Sequence, residues 1–325
     1  MKKIIIIFTG GTICMKPDSN NVAVPAMQGE DILELIPEID GIANISFLDF
    51  GMYPGPHMTP EKMLELSRLI DKKLQGEDYD GVVVTHGTDS LEETAYLVEL
   101  TYKGSKPVVF TGSMRNSGQP GWDGALNLKD SVLTAAAEDA SNKGVLVVMN
   151  GEIHSAALVT KTSTHSLDTF KSVDFGPLGF IDNDKAYFFF KYLRREYIAA
   201  DYIENSVDII KCGCGMDGRL IKYCADSGSK GLIIEAMGRG NVPPKMVSAI
   251  EYALTKGLAV VLVSRCFKGR VQDDYGYAGA ARELIQKGVI LGDNLPGQKA
   301  RIKLMAALGF TRDLSLIKEI FERNY

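Results

Sequence analysis

The sequence predicts an α/β protein: a large N-terminal, mostly parallel-sheet domain followed by a smaller α/β C-terminal domain. Three observations carry this. Short, β-branched runs without polar alternation recur at residues 4–8, 82–85, 107–110 and 144–149, which is how strands buried on both faces read. Each closes on a polar or glycine-bearing turn, and helical spacing follows several of them, as in a sheet with helical crossovers. The chain of 325 residues also exceeds the roughly 250–300 residues at which a single core stops growing. The expected division is an N-terminal domain over 1–183, a linker over 184–206 and a C-terminal domain over 207–325.

In chain order, residues 4–8 form a first buried strand and run into Thr9-Gly10-Gly11-Thr12-Ile13. Paired glycines there permit a tight turn and close approach of a ligand. Residues 14–28 hold Pro, Asn, Ser and Asp without helical period and read as a mobile surface loop, a length usually kept for lids. Residues 31–36 read as a short helix and 45–50 as a strand. Thr59-Pro60 opens a helix, with Thr59 as N-cap and Pro60 at its first position. Residues 82–85 are a strand and 91–102 a helix, with Ser90 and Glu93 spaced for a capping box. The run 107–110 is a third strand, 126–140 a helix and 144–149 a strand. Further on, 207–210, 231–236 and 258–264 are strands, and 243–254 and 298–308 are helices.

Composition excludes several classes. The net charge is -5 and no Lys/Arg block occurs, so no nucleic-acid footprint is expected. No run reaches the ~20 apolar residues of a membrane span. Residues 4–8 after Lys2-Lys3 are too short for a secretory core, and the protein is expected in the cytoplasm. Five cysteines in a chain with ample core argue against structural disulfides. Cys212-Gly213-Cys214 is too closely spaced for zinc. His57, His86, His154 and His165 read as surface, turn or core residues, since none has a visible carboxylate–nucleophile partner.

The chemistry concentrates at His86-Gly87-Thr88-Asp89-Ser90. A turn from strand to helix puts Thr88 and Asp89 at a strand's carboxyl end, where open α/β sheets bind ligands. Capping explains Ser90 and Glu93 but leaves Gly87, Thr88 and Asp89 without a reason. Thr12 ends the first strand in the same way. Lys161, set in Val159-Thr160-Lys161-Thr162 with little other charge, is a candidate cleft-lining ammonium, although a solvated lysine is the commoner case.

The motifs at 9–13, 86–95 and 159–162 occur together, in this order and at these separations. In that combination the chain resembles the bacterial-type L-asparaginase family, and residues 106–109, 112–115, 144–150, 170–172, 176–179 and 238–241 extend the likeness. The resemblance implies hydrolysis of L-asparagine, with glutamine as a secondary substrate, through a threonine nucleophile. Thr12 then stands at the nucleophile's position, with Thr88, Asp89 and Lys161 as the second catalytic group. Substrate contacts are implied at Gly11, Gly55, Pro56, Gly87, Ser113, Met114 and Asn241. The family's pattern further implies a homodimer or homotetramer and no metal or organic cofactor. Val22 stands where many members carry tyrosine and Pro54-Gly55 where relatives carry Asp-Ser; the family's partner-subunit glutamate has no clear match, and residues 271–277 occupy its region with Asp273 or Asp274 as the substitute.

Physically, a threonine hydroxyl is a weak nucleophile that needs a base within hydrogen-bond reach. Lys161 is expected to act through Thr88, with Asp89 orienting the set and the Thr12 and Thr88 N–H groups receiving the oxyanion. A non-catalytic amino-acid or amide sensor on the same fold is the alternative reading, suggested by Val22 and Gly55. A nucleotide-binding protein is disfavoured, because neither a P-loop nor a G-x-G-x-x-G pattern is met.

Overall fold

The computed structural model describes residues 1–20 and 22–322. Asn21, within the expected loop 14–28, and the last three residues of the expected C-terminal domain lie outside them. The chain divides into two compact units, Met1–Tyr197 and Ile198–Tyr325.

The first unit is built on β1 (Lys3–Gly10), which pairs in parallel with β4 (Asn44–Tyr53) on one side and β5 (Gly81–Thr85) on the other. Parallel pairing continues through β6 (Val108–Thr111) to β7 (Val145–Met149). The runs of β1, β5, β6 and β7 are largely apolar because the sheet is covered on both faces there, whereas β4 at its edge carries Asn44, Ser46 and Asp49 and is only partly buried. Ile4, Ile6, Phe8, Val83 and Val109 pack into one core with Leu128 and Val132. Ile5, Ile7, Val82, Val84 and Phe110 pack into another with Leu66, Ile70 and Leu91. Alternate side chains of one strand thus enter opposite cores, as a period of two requires. Each such buried side chain stabilises the fold by about 1.5–3 kcal/mol in transfer terms.

The helices are α1 (Gly29–Glu34), α2 (Pro60–Gly76), α3 (Leu91–Thr101) and α4 (Gly124–Ala136). At α2 the sequence reading holds, since Thr59 accepts from the Lys62 N–H with Pro60 at the first position. At α4 the chain leaves the helix at Ala136 and makes a separate 3₁₀ turn at Glu138–Ala140, so residues 126–140 are not one helix. The expected loop at 14–28 contains a small antiparallel hairpin, β2 (Met15–Pro17) against β3 (Ala23–Pro25). The Cys14 carbonyl closes its base by accepting from the Ala26 and Met27 N–H groups, and the Asp18 carboxylate takes the N–H groups of Asn20 and Val22 at its tip.

Beyond β7 the sheet turns antiparallel through β8 (Glu152–Ser155), and a separate two-stranded pair follows, β9 (Thr160–Lys161) with β10 (Phe170–Lys171). The large sheet then ends on β11 (Gly179–Asp182) and β12 (Lys185–Phe188). The expected linker at 184–206 therefore begins inside the sheet. Its later part is fastened as well: Arg195 donates from Nε to the buried Glu99 carboxylate at 3.0 Å, and from its other nitrogens to the Gly104 and Tyr102 carbonyls. β12 is joined to β11 by the two-residue turn Asn183-Asp184, both residues at positive φ, which makes the pair a hairpin.

The second unit is a four-stranded parallel sheet, β13 (Val207–Lys211), β14 (Gly231–Ala236), β15 (Ala259–Ser264) and β16 (Ile290–Leu291), in that spatial order. It carries α5 (Arg219–Asp226), α6 (Pro244–Thr255), α7 (Ala281–Gln286), α8 (Gly297–Phe310) and α9 (Leu314–Glu322). Among the described residues, no helix is long and apolar enough to cross a membrane.

The Arg195–Glu99 pair gives a test of how the end of the first unit is held. The Glu99 side chain is 3% exposed, and burial raises its carboxyl above the ordinary value while Arg195 opposes the shift. Arg195→Ala leaves an unpaired buried carboxylate, a change that costs about 3–5 kcal/mol. A raised carboxyl binds its proton more readily folded than unfolded, so the deficit is largest near neutral pH and shrinks as acid protonates Glu99. Urea unfolding of the variant against wild type at two pH values measures this; a deficit independent of pH contradicts it.

Candidate active site

β1 and β5 are hydrogen-bonded neighbours in parallel register, with Phe8 opposite Thr85. Their carboxyl ends therefore emerge side by side. β1 continues through Gly10 and Gly11, both at positive φ (104° and 83°), into a 3₁₀ turn at Thr12–Cys14. β5 continues through residues 86–90 into α3. The Thr9 hydroxyl donates to the Thr85 carbonyl at 2.8 Å and ties the two ends together.

The glycines of these turns answer the question that capping left open. A Cβ on Gly11 would lie 2.4 Å from the Gly87 nitrogen, and one on Gly87 would lie 2.7 Å from the Gly55 Cα and nitrogen. Three strand-end segments, after β1, β5 and β4, thus meet backbone to backbone. Gly55 opens the 3₁₀ turn Gly55–His57, and its carbonyl accepts from the Ser90 hydroxyl at 2.6 Å. The capping box is corrected here: Ser90 occupies the N-cap position, but its side chain makes no cap bond because its hydroxyl is committed across the site to Gly55. Local spacing suggested the cap, and a tertiary acceptor won.

Lys161 reaches the site from β9. Its Nζ donates to Thr88 Oγ1 at 3.0 Å and to Asp89 Oδ1 at 2.8 Å. Its side chain is 17% exposed against 64% for Asp89, so Coulomb energy is largely screened on the carboxylate side and the pair serves orientation more than stability. The backbone of Lys161 is held too, its N–H donating to Glu92 Oε1 of α3 at 3.2 Å. Glu92 is buried; sequence reading passed over it, since a glutamate in the first turn of a helix is ordinary by pattern. Among the described residues, neither the Thr12 nor the Thr88 backbone N–H is given to an acceptor.

The other expected site residues divide. Pro56 is exposed on the turn behind Gly55. Ser113 is fully buried, and its hydroxyl donates to Asp123 Oδ1 at 2.7 Å and contacts the Arg115 carbonyl. Met114 is half-buried against the β5–α3 core. Asn241 belongs to the second unit, in the turn after β14 where its backbone pairs with Met237. Also in that unit, Asp274 pairs with Arg239 at 2.7 Å and Asp273 lies 3.8 Å from Arg282.

Two histidines are core groups. His86 is fully buried, its Nδ1 lies 2.9 Å from the Gly87 carbonyl, and burial pushes its pKa down to about 4. His154 is equally buried, between Ser172 at 3.1 Å and Glu152 at 3.2 Å, and burial likewise pushes it down to about 4. Both are neutral at neutral pH. His57 and His165 are exposed. Among the described residues, no group of three or more His, Cys, Asp or Glu side chains is placed to hold a metal ion.

Fold and site together define an α/β protein with hydroxyls, one ammonium and a carboxylate gathered at the carboxyl end of a parallel sheet. Comparison with known proteins makes the class specific. The profile of the asparaginase N-terminal domain matches residues 3–193, and that of the glutaminase/asparaginase C-terminal domain matches residues 206–321. The chain belongs to the asparaginase family. It is 40% identical to an L-asparaginase of Bacillus licheniformis over 308 residues, covering 94% of this chain and 95% of that protein. It is 34% identical to one polypeptide of the glutamyl-tRNA(Gln) amidotransferase of Pyrococcus abyssi, covering 100% of this chain and 76% of that one. A crystal structure of a probable cytoplasmic L-asparaginase from Campylobacter jejuni superposes with a TM-score of 0.89 at 34% identity, over 99% of both chains.

The glycine contact can be tested directly. Gly87→Ala puts a methyl group into the Gly55 backbone, and overpacking of this kind costs about 1–3 kcal/mol. The forced separation also displaces Thr88, and misplacement by about 1 Å commonly costs on the order of 10²-fold in turnover. Gly41→Ala, where a Cβ meets nothing within 4 Å, is the control and should change neither melting temperature nor rate appreciably. A Gly87→Ala protein indistinguishable from that control removes the steric account.

Proposed function

We propose that this protein hydrolyses L-asparagine to L-aspartate and ammonia through an acyl-enzyme on Thr12. The observation that carries the reading is the 3.0 Å contact between Lys161 Nζ and Thr88 Oγ1, in a turn whose Gly87 abuts Gly11, the residue before Thr12. Asparaginase-family membership supplies the reaction class, and the geometry supports these residues as its machinery.

In this mechanism the Thr12 hydroxyl attacks the carboxamide carbon and gives up its proton toward the Thr88–Lys161 pair. The tetrahedral oxyanion receives the N–H groups of Thr12 and Thr88, donors of a kind commonly worth ~10²–10³ in rate each. Collapse breaks the C–N bond, the leaving nitrogen takes a proton and departs as ammonia, and an ester remains on Thr12. Water then hydrolyses the ester, releasing aspartate and regenerating the hydroxyl. Asp89 holds the substrate's α-ammonium.

Substrate contacts at Gly11, Gly55, Pro56, Gly87, Ser113 and Met114 belong to the same proposal. With the Ser113 hydroxyl shared between the Asp123 carboxylate and the Arg115 carbonyl, what this residue offers substrate is its main chain. Glutamine is the second substrate to examine, given a relative named for glutamyl-tRNA(Gln) amidotransfer. We further infer a homodimer or homotetramer in the cytoplasm. The exposed, mutually packed rings of Phe180, Tyr187 and Phe189 support assembly, as such patches commonly mark interfaces. The naming of a structural neighbour as a probable cytoplasmic enzyme supports the location.

Ammonia release from asparagine is the assay. Thr12→Ala and Lys161→Met are each expected to lower kcat on the order of 10²–10⁴-fold, the usual yield of a nucleophile–base pair, with melting temperatures near wild type. Near-wild-type release by either variant ends the assignment. Rapid-quench peptide mapping of labelled enzyme then tells Thr12 from Thr88 as the residue carrying the acyl group.

A further inference from the structure

We propose that Asp123 is a positioning residue for the substrate carboxamide: its carboxylate fixes the main chain at residues 113–115 as the wall of the site beside Thr88. Asp123 occupies the N-cap position of α4 but makes no cap bond with its own helix. Its Oδ1 accepts from the Ser113 hydroxyl at 2.7 Å and the Arg115 N–H at 2.9 Å. Its Oδ2 accepts from the Met114 N–H at 3.0 Å and from Asn127 Nδ2 at 3.0 Å. Four donors thus converge on one carboxylate, three of them from a single three-residue stretch. A carboxylate can satisfy all four because both its oxygens only accept.

Two further contacts tie this stretch to the reacting groups. Gly112, which leads into it from β6, lies so close to β5 that a Cβ would fall 2.5 Å from the His86 carbonyl and 3.3 Å from Thr88 Cγ2. Asn127 donates to the Gly112 carbonyl at 3.0 Å and accepts from the Asn150 N–H at 2.9 Å, so α4 grips the ends of both β6 and β7. The chain therefore lies directly alongside Thr88 at Gly112, and its path onward to Arg115 is set by Asp123 and Asn127. An error there moves the main-chain groups offered to substrate without touching Thr12, Thr88 or Lys161. The inference rests on the proposed reaction at Thr12 and Thr88.

Asp123→Asn is the informative substitution. An amide has one accepting oxygen, so one side of the old carboxylate must now face an NH₂. The Ser113 hydroxyl can turn and accept, but the Arg115 N–H cannot, and the variant keeps the fold while losing one tether. Steady-state kinetics on asparagine should show KM raised about tenfold, equal to about 1.4 kcal/mol, with kcat within about threefold of wild type, as loss of binding common to ground and transition states requires. Asp123→Ala, with all four bonds lost, should raise KM on the order of 10²-fold on the same scale.

A normal KM in Asp123→Asn, with only the melting temperature lowered, overturns the proposal and reduces Asp123 to a structural anchor. Should that variant fail to fold, Asn127→Ala carries the test: KM is expected to rise about threefold, and an unchanged KM overturns the proposal. A wild-type protein that releases no ammonia contradicts the function reading instead. The tether is then read by hydrogen exchange, where the Met114 and Arg115 amides should be protected in wild type and fast in Asp123→Ala; equal protection overturns it.

Discussion

The site depends on a contact that contains no side chains. Gly11, Gly87 and Gly55 bring the segments after β1, β5 and β4 into backbone contact, at a separation that a single methyl group would forbid. Strands in one sheet are only about 4.8 Å apart, so neighbouring strand ends are close in any case. What the glycines add is the removal of the last side-chain layer between the turns. Only then can the turns that carry Thr12 and Thr88, over seventy residues apart in the chain, lie against each other.

Around that contact the structure spends buried polar groups on orientation. The Ser90 hydroxyl closes on the Gly55 carbonyl, the Glu92 carboxylate on the Lys161 N–H, and the Asp123 carboxylate on the chain at 113–115. None of these bonds adds much net stability, since folding exchanges them for bonds to water and each is worth about 0.5–1.5 kcal/mol, more where a carboxylate accepts. Their value lies in geometry, because hydrogen bonds fix direction while hydrophobic burial does not. The two cores flanking the sheet supply the stability against which this positioning is done.

Ser90 stands at a helix start, where its type and spacing suggest capping; Asp123, on which the sequence analysis is silent, also occupies an N-cap position. Each instead carries a long-range bond, to a segment 35 positions away for Ser90 and to the chain ten positions back for Asp123. Residues 185–188 and 195 looked like linker, yet the first pair with β11 and the last is bound to Glu99. Residues 15–17 and 23–25 looked like open loop and pair with each other. For Ser90 and Arg195 the deciding partner lies far along the chain, whereas the two hairpins close on neighbouring segments across short turns.

By itself, then, the sequence determined the α/β class, the buried strands, the Thr59 cap and the turns that hold Thr12 and Thr88. Those features follow from local chemistry: apolar runs must be buried, and turn residues must lie between them. The tertiary structure alone decided that Gly87 exists to admit Gly55 and Gly11 and that Asp123 binds residues 113–115, and it supplied the contact between Lys161 and Thr88 that the family resemblance implies. These are meetings between segments distant along the chain, and only the order and register of strands in the sheet could bring them within hydrogen-bond range.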